Sequence, residues 1–250
     1  MSIIDAYDNS KELFMPSVFT SSLKKLPETA IVYFKSELTN VLRNNKEFCE
    51  YSTYGMMGDN LPIFSTKVNG KEVAIYRTFV GGPITAMIME EMISRGVKKF
   101  IFFGSCGALS SALGAGEIFI PEKAYRDEGT SYHYIPASEY IDVKTASKLS
   151  ELFDKNNIKY TKVNTWTTDA LYRETEDRFK KMSQEGCSIV EMECAPIMAV
   201  SHLRNVDTYQ FLYTDDVLDG EEYDARTLID DRTDMLTKCL KIALKVAAEI

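Results

Sequence analysis

Histidine and tryptophan are scarce in this chain of 250 residues, which has two of the former and one of the latter. Its five cysteines are Cys49, Cys106, Cys187, Cys194 and Cys239, and none of them forms a CxxC pair or lies beside a histidine. The spacing required for a structural zinc site is therefore missing, and we expect no metal. Scattered cysteines in apolar contexts are typical of free thiols in a reducing compartment, so we predict a cytoplasmic protein.

Long basic runs and long apolar runs are also missing. Lys and Arg number 29 against 37 Asp and Glu, which gives a net charge of −8. An acidic chain is repelled by the phosphate backbone, so nucleic acid is not an expected partner. No stretch of about 18 apolar residues could cross a membrane, and residues 1–15 carry Asp5, Asp8, Lys11 and Glu12, which excludes the apolar core of a signal peptide. We expect no membrane partner.

The sequence does contain a regular alternation of strand and helix patterns. This alternation predicts an α/β fold, a single-domain three-layer sandwich in which helices flank a central, mostly parallel or mixed sheet. Residues 1–28 show no clear period and are predicted to be an N-terminal arm, while 29–250 form the domain. The predicted strands cover 29–34, 50–57, 62–68, 71–78, 99–104, 117–121, 159–167 and 208–214, and the predicted helices cover 36–45, 84–94, 143–156, 174–184 and 195–203, with a last helix from Tyr223 onward.

Another apolar strand pattern leads into two glutamates, Glu191 and Glu193. The segment 188–195 reads Ser-Ile-Val-Glu-Met-Glu-Cys-Ala. If the strand continues through it, alternation sends Glu191 and Glu193 to one side and Met192 to the other. The carboxyl ends of strands are where open α/β sheets bind ligands. Carboxylates can accept hydrogen bonds from a sugar, and a Met offers it an apolar surface. Taken alone, the residues favour the alternative of a pair of salt-bridged acids at the end of a strand.

Four segments, in order along the chain, resemble motifs of the nucleoside phosphorylase family, which includes purine nucleoside and uridine phosphorylases and related nucleosidases. They are Gly81-Gly82-Pro83, residues 103–108, residues 190–193 and residues 214–218. The resemblance covers roughly residues 29–250. It implies a pentosyltransferase that cleaves the N-glycosidic bond of a nucleoside by phosphorolysis, with phosphate as co-substrate and no other cofactor. It also implies a homo-oligomer with shared active sites.

The resemblance implies that residues 191–193 bind the ribose. Glu193 would accept hydrogen bonds from the ribose hydroxyls and support the cationic sugar, and Met192 would lie against the sugar face. Glu191 is the third ribose-binding candidate, with a supporting role favoured. Asp216, with Asp215 beside it, is the candidate acid that protonates the departing base, although a capped turn before Gly220 would account for the same residues.

The base pocket is assigned by the same comparison to Cys106, Gly107, Leu171 and Tyr172. Uridine-cleaving relatives carry a Gln/Arg pair near this last segment, whereas residues 170–175 here read Ala-Leu-Tyr-Arg-Glu-Thr, without a Gln. The pocket is therefore predicted to accept a purine.

The phosphate site departs from the family pattern. A Gly-Asp-Pro loop and an Arg are replaced by residues 33–37, and Phe102 occupies the place of a second Arg. The remaining candidates are Gly104 and Ser105, with Arg77 from a neighbouring strand end and Arg43 from a neighbouring subunit. The alternative role of Arg77 and Arg43 is a surface or interface salt bridge.

This departure leaves two other functions open. A hydrolytic nucleosidase would use water positioned by Glu37 or, less plausibly, Glu12. A catalytically inactive protein on the same scaffold would bind a nucleoside without turnover.

Overall fold

The computed structural model describes residues 2–56, 58–219, 224–225 and 232–250. Within these residues, ten strands form one mixed sheet: β1 (Thr29–Tyr33), β2 (Cys49–Met56), β3 (Asp59–Val68), β4 (Lys71–Arg77), β5 (Lys99–Ala108), β6 (Ile118–Asp127), β7 (Tyr140–Asp142), β8 (Thr161–Thr168), β9 (Cys187–Glu191) and β10 (Asp207–Val217). The helices are α1 (Ser17–Thr20), α2 (Glu37–Asn44), α3 (Gly82–Ser94), α4 (Ser131–Tyr134), α5 (Ala146–Lys155), α6 (Glu176–Gln184), α7 (Cys194–Arg204) and α8 (Thr233–Ala247), and short 3₁₀ turns cover Ile3–Asp5 and Leu171–Arg173.

Strand β5 is the centre of the sheet because it pairs with three others. It runs parallel to β1 and to β10, and its last residues, Gly107 and Ala108, pair antiparallel with β9. On one side, β1, β4, β3 and β2 continue the sheet to its edge. On the other side, β10, β6, β8 and β9 lead back to β5 and close a ring of strands. The predicted α/β class with a mixed sheet is confirmed, while the ring closure was not foreseen.

The core explains why β5 is apolar. Phe100, Phe102 and Phe103 are fully buried, as expected for a strand that is covered on both faces. Helix α7 is buried along residues 194–201 and packs against α3. A Cβ on Gly82 would lie 2.6 Å from Cγ of Pro196, so only glycine permits the two helices to approach this closely at their first turns.

Two short-range signals in the sequence correspond to the turns observed. Asn69 and Gly70 join β3 to β4 with φ of 48° and 79°, as the type I′ turn favoured by an Asn-Gly pair requires. Gly96 follows α3 with φ of 113°, and Val97 N–H donates to the Met92 carbonyl, which closes the helix end as glycine after a helix commonly does.

The N-terminal arm packs on the body of its own chain through one buried cation. Arg95 donates hydrogen bonds to the backbone carbonyls of Lys24 and Thr53 and to Oγ of Ser52. The Leu26 N–H returns a bond to the Arg95 carbonyl at 2.9 Å. The arm is thereby fixed at residues 24–26, and its limits as a separate unit stay a prediction.

The C-terminal helix begins later than predicted. Tyr223, the predicted start, lies outside the described residues, and α8 begins at Thr233. Asp224 instead pairs with Val217 in an antiparallel bridge, with N–O distances of 3.0 and 3.2 Å. Strand β6 is also longer than expected, because it continues through Arg126 and pairs there with β8. No helix in the described part of the chain is both long and apolar enough to span a membrane.

Candidate active site

The carboxyl ends of four neighbouring parallel strands meet at one edge of the sheet. In spatial order these strands are β4, β1, β5 and β10. Their ends bring Arg77, Lys35, Ser105 and Asp215 to this edge, although the four lie far apart in the sequence. The edge is where α/β sheets bind ligands, and most of the residues predicted from the four motifs lie along it.

Strand β9 ends at Glu191, so the predicted alternation through Glu193 is wrong. The Glu191 carboxylate is buried and accepts hydrogen bonds from Oγ1 of Thr167 at 2.6 Å and from the backbone N–H groups of Glu193 and Cys194 at 2.8 and 2.6 Å. Two of the first N–H groups of the α7 segment thus find their acceptor in the preceding strand. With its oxygens engaged by the protein, Glu191 supports the turn and has little capacity left for a sugar.

Glu193 occupies the N-cap position of α7 and reaches across to the start of α3. Its Oε1 accepts the backbone N–H of Gly81 at 2.6 Å. Met192, between the two glutamates, is half-buried in the turn. A carboxylate offers about four acceptor sites, so the bond to Gly81 orients Glu193 and leaves capacity for a ligand hydroxyl.

The electrostatic environment of Glu193 favours its protonated form. Burial, followed by the charge of Glu191, raises the pKa of Glu193 to about 8, against the bond from Gly81, which lowers it. Burial also raises the pKa of Glu191. Hydrogen-bond donors from a ligand would favour ionised Glu193.

Asp216 lies over Gly107, its neighbour on β5. A Cβ added to Gly107 would lie 3.2 Å from Oδ1 of Asp216, 3.0 Å from Cγ1 of Val190 and 2.7 Å from Cδ1 of Leu218. Only a glycine fits between these groups. The register places Asp216 opposite Gly107 and Gly107 opposite Val190, so the end of β5 lies between Asp216 and the strand that leads to Glu193.

Asp215 has a different environment from its neighbour. The register of β10 shifts between Thr214 and Asp216, which makes Asp215 the extra residue of a β-bulge. Its carboxylate is fully buried and lies 2.9 Å from Nζ of Lys35 and 3.0 Å from Nε of Arg232. Sequence reasoning assigned no role to either cation, since nothing local indicates a partner so far along the chain.

The predicted anion segment is shaped by the loop after β1. A Cβ on Gly104 would lie 3.0 Å from the Phe34 ring, so glycine is needed for this contact. Ser105 follows and is partly exposed. Arg77 is on the next strand, where its Nε donates to the Phe34 carbonyl at 3.0 Å and its guanidinium lies 4.8 Å from the centre of the Phe79 ring. Arg77 is thus oriented at the predicted edge.

Arg43 and Glu12, considered above for binding phosphate and for positioning water, form ion pairs outside this cluster. Arg43 forms an exposed ion pair with Glu50 at 3.3 Å, on α2. Glu12 is paired with Arg204 at 2.9 Å. Glu37, half-buried at the start of α2, accepts a bond from the Ser36 hydroxyl at 3.2 Å.

The structure brings together only part of the predicted base pocket. Cys106 packs in a small apolar cluster with Phe119 and Leu212, and its thiol lies 3.5 Å from the Tyr213 carbonyl, so the side chain belongs to the core. Leu171 and Tyr172 lie on an exposed 3₁₀ turn and are 48% and 95% exposed in the single chain.

Glu174, beyond that turn, was missed by sequence reasoning. Burial, followed by the charge of Asp216, raises its pKa to about 7. Glu174 therefore belongs to the electrostatic surroundings of Asp216 and is a second carboxyl there. A Glu in a polar loop gives no sequence signal for such a role.

An open groove of about 500 Å³ lies beside the start of α3. Pro83, His133 and Asp169 are among its walls, and the Asp169 charge contributes to the raised pKa of Glu193. Among the described residues, no group of three or more His, Cys, Asp and Glu side chains could hold a metal ion.

Comparison with known proteins decides the family. A family model described as the phosphorylase superfamily matches residues 30–250. The chain belongs to the phosphorylase superfamily. The match spans the whole ring of strands and all four sequence motifs.

Individual relatives in this superfamily are distant. A purine nucleoside phosphorylase of the DeoD type from Bacillus cytotoxicus is 27% identical over 206 residues, which are 80% of this chain and 84% of that protein. An uncharacterised protein, R802, from Acanthamoeba polyphaga mimivirus is 29% identical over 160 residues, 64% of this chain and 63% of that protein. The crystal structure of Toxoplasma gondii purine nucleoside phosphorylase in complex with immucillin-H has the same fold, with a TM-score of 0.74 and 18% identity over 90% of this chain and 91% of that one.

Proposed function

We propose that this member of the phosphorylase superfamily cleaves the N-glycosidic bond of a purine nucleoside by phosphorolysis and releases the free base and ribose 1-phosphate. The observation that carries the proposal is the position of Glu193 and Asp216 on either side of the end of β5. A sugar and a base that are joined by one bond need an acceptor and an acid placed in this way. The similarity to a DeoD-type purine nucleoside phosphorylase supports the choice of substrate.

Glu193 binds the ribose hydroxyls and places a negative charge near the reacting carbon. Cleavage of a glycosidic bond passes through a state that resembles an oxocarbenium ion, whose positive charge a carboxylate stabilises. The bond from Gly81 fixes the orientation of Glu193 before the nucleoside binds. Burial and the charge of Glu191 raise the pKa of Glu193, and hydrogen bonds donated by the ribose hydroxyls lower it again. Glu193 therefore ionises when the sugar is bound.

Asp216 supplies a proton to the departing base. A general acid must reach the atom that it protonates, and Asp216 keeps 8% of its surface exposed beside the end of β5. Glu174, with its pKa raised to about 7, adds a carboxyl that holds a proton near neutrality. This arrangement suits a heterocycle that leaves as a neutral molecule.

Phosphate is proposed to lie on the Gly104–Ser105 segment, within reach of Arg77. Pairing of β5 with β1 ends at Phe102, and the Ser105 hydroxyl beyond it can donate a hydrogen bond to an anion. Arg77 is oriented towards this edge by its bond to the Phe34 carbonyl. Nucleophilic attack by a phosphate oxygen on the anomeric carbon completes the reaction.

Hydrolysis is the second candidate, favoured by one specific observation. Phe102, at the place of a phosphate-binding arginine in relatives, is fully buried and gives the edge no charge. Lys35 is already paired with Asp215. Water would then attack the sugar, with Glu37 as the candidate group to position it.

Release of base from inosine, guanosine and adenosine, measured with and without phosphate, tests these alternatives. Phosphorolysis predicts release that requires phosphate and a product that is ribose 1-phosphate. Equal release without phosphate would support hydrolysis instead. Binding of nucleoside without turnover under either condition would support the inactive binding protein.

A homo-oligomer with shared sites is part of the same proposal. Several apolar side chains of the arm are exposed in the single chain, among them Leu13, Phe14, Val18 and Phe19, and the cation of Arg43 points to the surface. Contiguous exposed apolar residues are typical of interaction surfaces. Sedimentation velocity should therefore give a mass at least twice that of the 28.3 kDa chain, and a monomer at micromolar concentration would contradict this part of the proposal.

A further inference from the structure

The ion pair between Lys35 and Asp215 crosses the end of β5. Lys35 follows β1, Asp215 is on β10, and β5 lies between these two strands. Strands are spaced by about 4.8 Å, so the lysine side chain must cross β5 close to Ser105 to bring its Nζ within 2.9 Å of the carboxylate. The pair therefore covers the backbone on which an anion would bind.

Asp215 is held in this position from two directions. Arg232, which immediately precedes α8, lies at 3.0 Å on the other carboxylate oxygen. The bulge turns Asp215 towards these cations while Asp216, the next residue, lies over Gly107. The carboxylate of Asp215 is fully buried, whereas the Lys35 side chain keeps 23% of its surface exposed. The lysine is thus the partner that can reach an incoming ligand.

We propose that Asp215 determines the acceptor specificity of the site, because its carboxylate is an internal counter-ion that competes with a phosphate dianion for Lys35. The inference rests on the proposed function for the identity of the reaction, but the competition itself concerns only the binding of an anion.

The negative charge of Asp215 should weaken the binding of phosphate. A phosphate beside Ser105 must take Lys35 from Asp215 and tolerate the negative charge that remains close by. Both requirements weaken the binding of phosphate, and neither affects water. Removing the charge of Asp215 should therefore strengthen phosphate binding, the opposite of what is expected for a residue that only stabilises the fold.

The experiment is isothermal titration of inorganic phosphate into the full-length protein and four variants. We expect Asp215→Asn to bind phosphate about tenfold more tightly than the wild type, since one repelling charge near the anion is removed. Lys35→Met and the double variant K35M/D215N should bind more weakly than D215N. Thermal melting reports which variants are folded. If the buried amide prevents D215N from folding, Asp215→Ser takes its place and should show the same gain in phosphate affinity.

A matched control changes the charge at the opposite edge of the sheet. Glu28 and Lys98 form an exposed ion pair at 2.7 Å just before β1 and β5, so Glu28→Gln changes the net charge by the same amount far from the strand ends. Its phosphate affinity should equal that of the wild type. Sulfate, which binds as a dianion, should follow the order found with phosphate.

Equal phosphate affinity in the wild type and in folded D215N or D215S would overturn the inference, as would tighter binding by E28Q. Base release distinguishes this failure from failure of the proposed function. If D215N gains phosphate affinity but no variant cleaves a nucleoside, the competition stands and the proposed reaction is wrong. If phosphorolysis is found with unchanged phosphate binding in D215N, the reaction stands and the role of Asp215 is wrong.

Discussion

The backbone N–H of Gly81 donates to Oε1 of Glu193 at 2.6 Å and so links the first turn of α3 to the first turn of α7. Gly81 has φ of 109°, a conformation that side chains rarely adopt. The contact between Gly82 and Pro196 keeps the two helices close at the same level. The Glu193 carboxylate, proposed to bind the ribose, is therefore positioned by the packing of two helices.

Glu193→Gln should abolish most of the activity and preserve the fold. The amide oxygen of Gln can still accept the Gly81 bond, but the negative charge near the cationic sugar is lost. We expect kcat/KM to fall by about 10²–10³, the range found when one electrostatic contact to a transition state is removed. Steady-state kinetics on inosine gives the ratio, and far-UV circular dichroism checks the fold.

The control for this variant is Glu176→Gln, at the exposed start of α6, where the side chain is 90% exposed. It removes the same charge away from the site and should keep wild-type kinetics. Wild-type turnover by E193Q would remove Glu193 from the proposed mechanism.

Asp216→Asn should impair those substrates whose base must be protonated as it leaves. General acid catalysis contributes about 10²–10⁴ in rate, and we expect a loss in this range with inosine. An N7-methylated purine nucleoside leaves as a neutral base without a proton, so D216N should cleave it at a rate close to that of the wild type. Equal losses on both substrates would indicate a structural role for Asp216.

Gly107→Ala tests the space between Asp216, Val190 and Leu218. The added methyl would lie 2.7 Å from the Leu218 side chain, and overpacking of this kind costs about 1–3 kcal/mol in the free energy of unfolding. Activity should fall as well, because the same methyl crowds Asp216. Gly55→Ala, where nothing lies within 4 Å of the new Cβ, is the matched control and should change neither urea denaturation nor kinetics.

Stability should decrease as the pH rises from 5 to 8. Glu193 has an ordinary pKa of 4.5 when unfolded and about 8 when folded, so the folded state retains a proton that the unfolded state has lost. The stabilising contribution is complete below pH 4.5 and is lost as the pH rises through 8. Glu174, with a pKa raised to about 7, acts in the same direction.

Thermal or urea unfolding in phosphate-free buffer measures this dependence. We expect the free energy of unfolding to fall by on the order of 5 kcal/mol across the window, with the larger share from Glu193. In E193Q the slope should be smaller, and in E176Q it should be unchanged. A wild-type stability that rises with pH over this range would contradict the assignment.

Much of the fold follows from local patterns in the sequence. The apolar run at Phe100–Phe103, the Asn69-Gly70 turn and the glycine after α3 predict their elements because each depends on neighbours along the chain. The closure of the strands into a ring does not follow from such patterns, since it depends on the pairing of Gly107 with Val190. The start of α8 was misplaced because its amphipathic period does not reveal the bridge between Val217 and Asp224.

The candidate site was predictable only where a motif carried it. Glu193 and Asp216 were found through resemblance, and the structure then supplied their orientation. Lys35 was missed because its partner Asp215 is 180 positions away in the sequence. Cys106 was assigned to the pocket because the motif contains it, but its thiol faces the apolar cluster inside the ring.

The irregularity of β10 has a consequence for how the protein can change over time. In an unbroken strand, two consecutive side chains point to opposite faces, and only one of them could serve the ligand edge. One inserted residue gives Asp215 and Asp216 separate surroundings, the first among cations and the second above a glycine. Adjacent codons can therefore diverge independently: under the proposed mechanism, changes at Asp215 would alter the partner that attacks the sugar, and changes at Asp216 the heterocycle that departs.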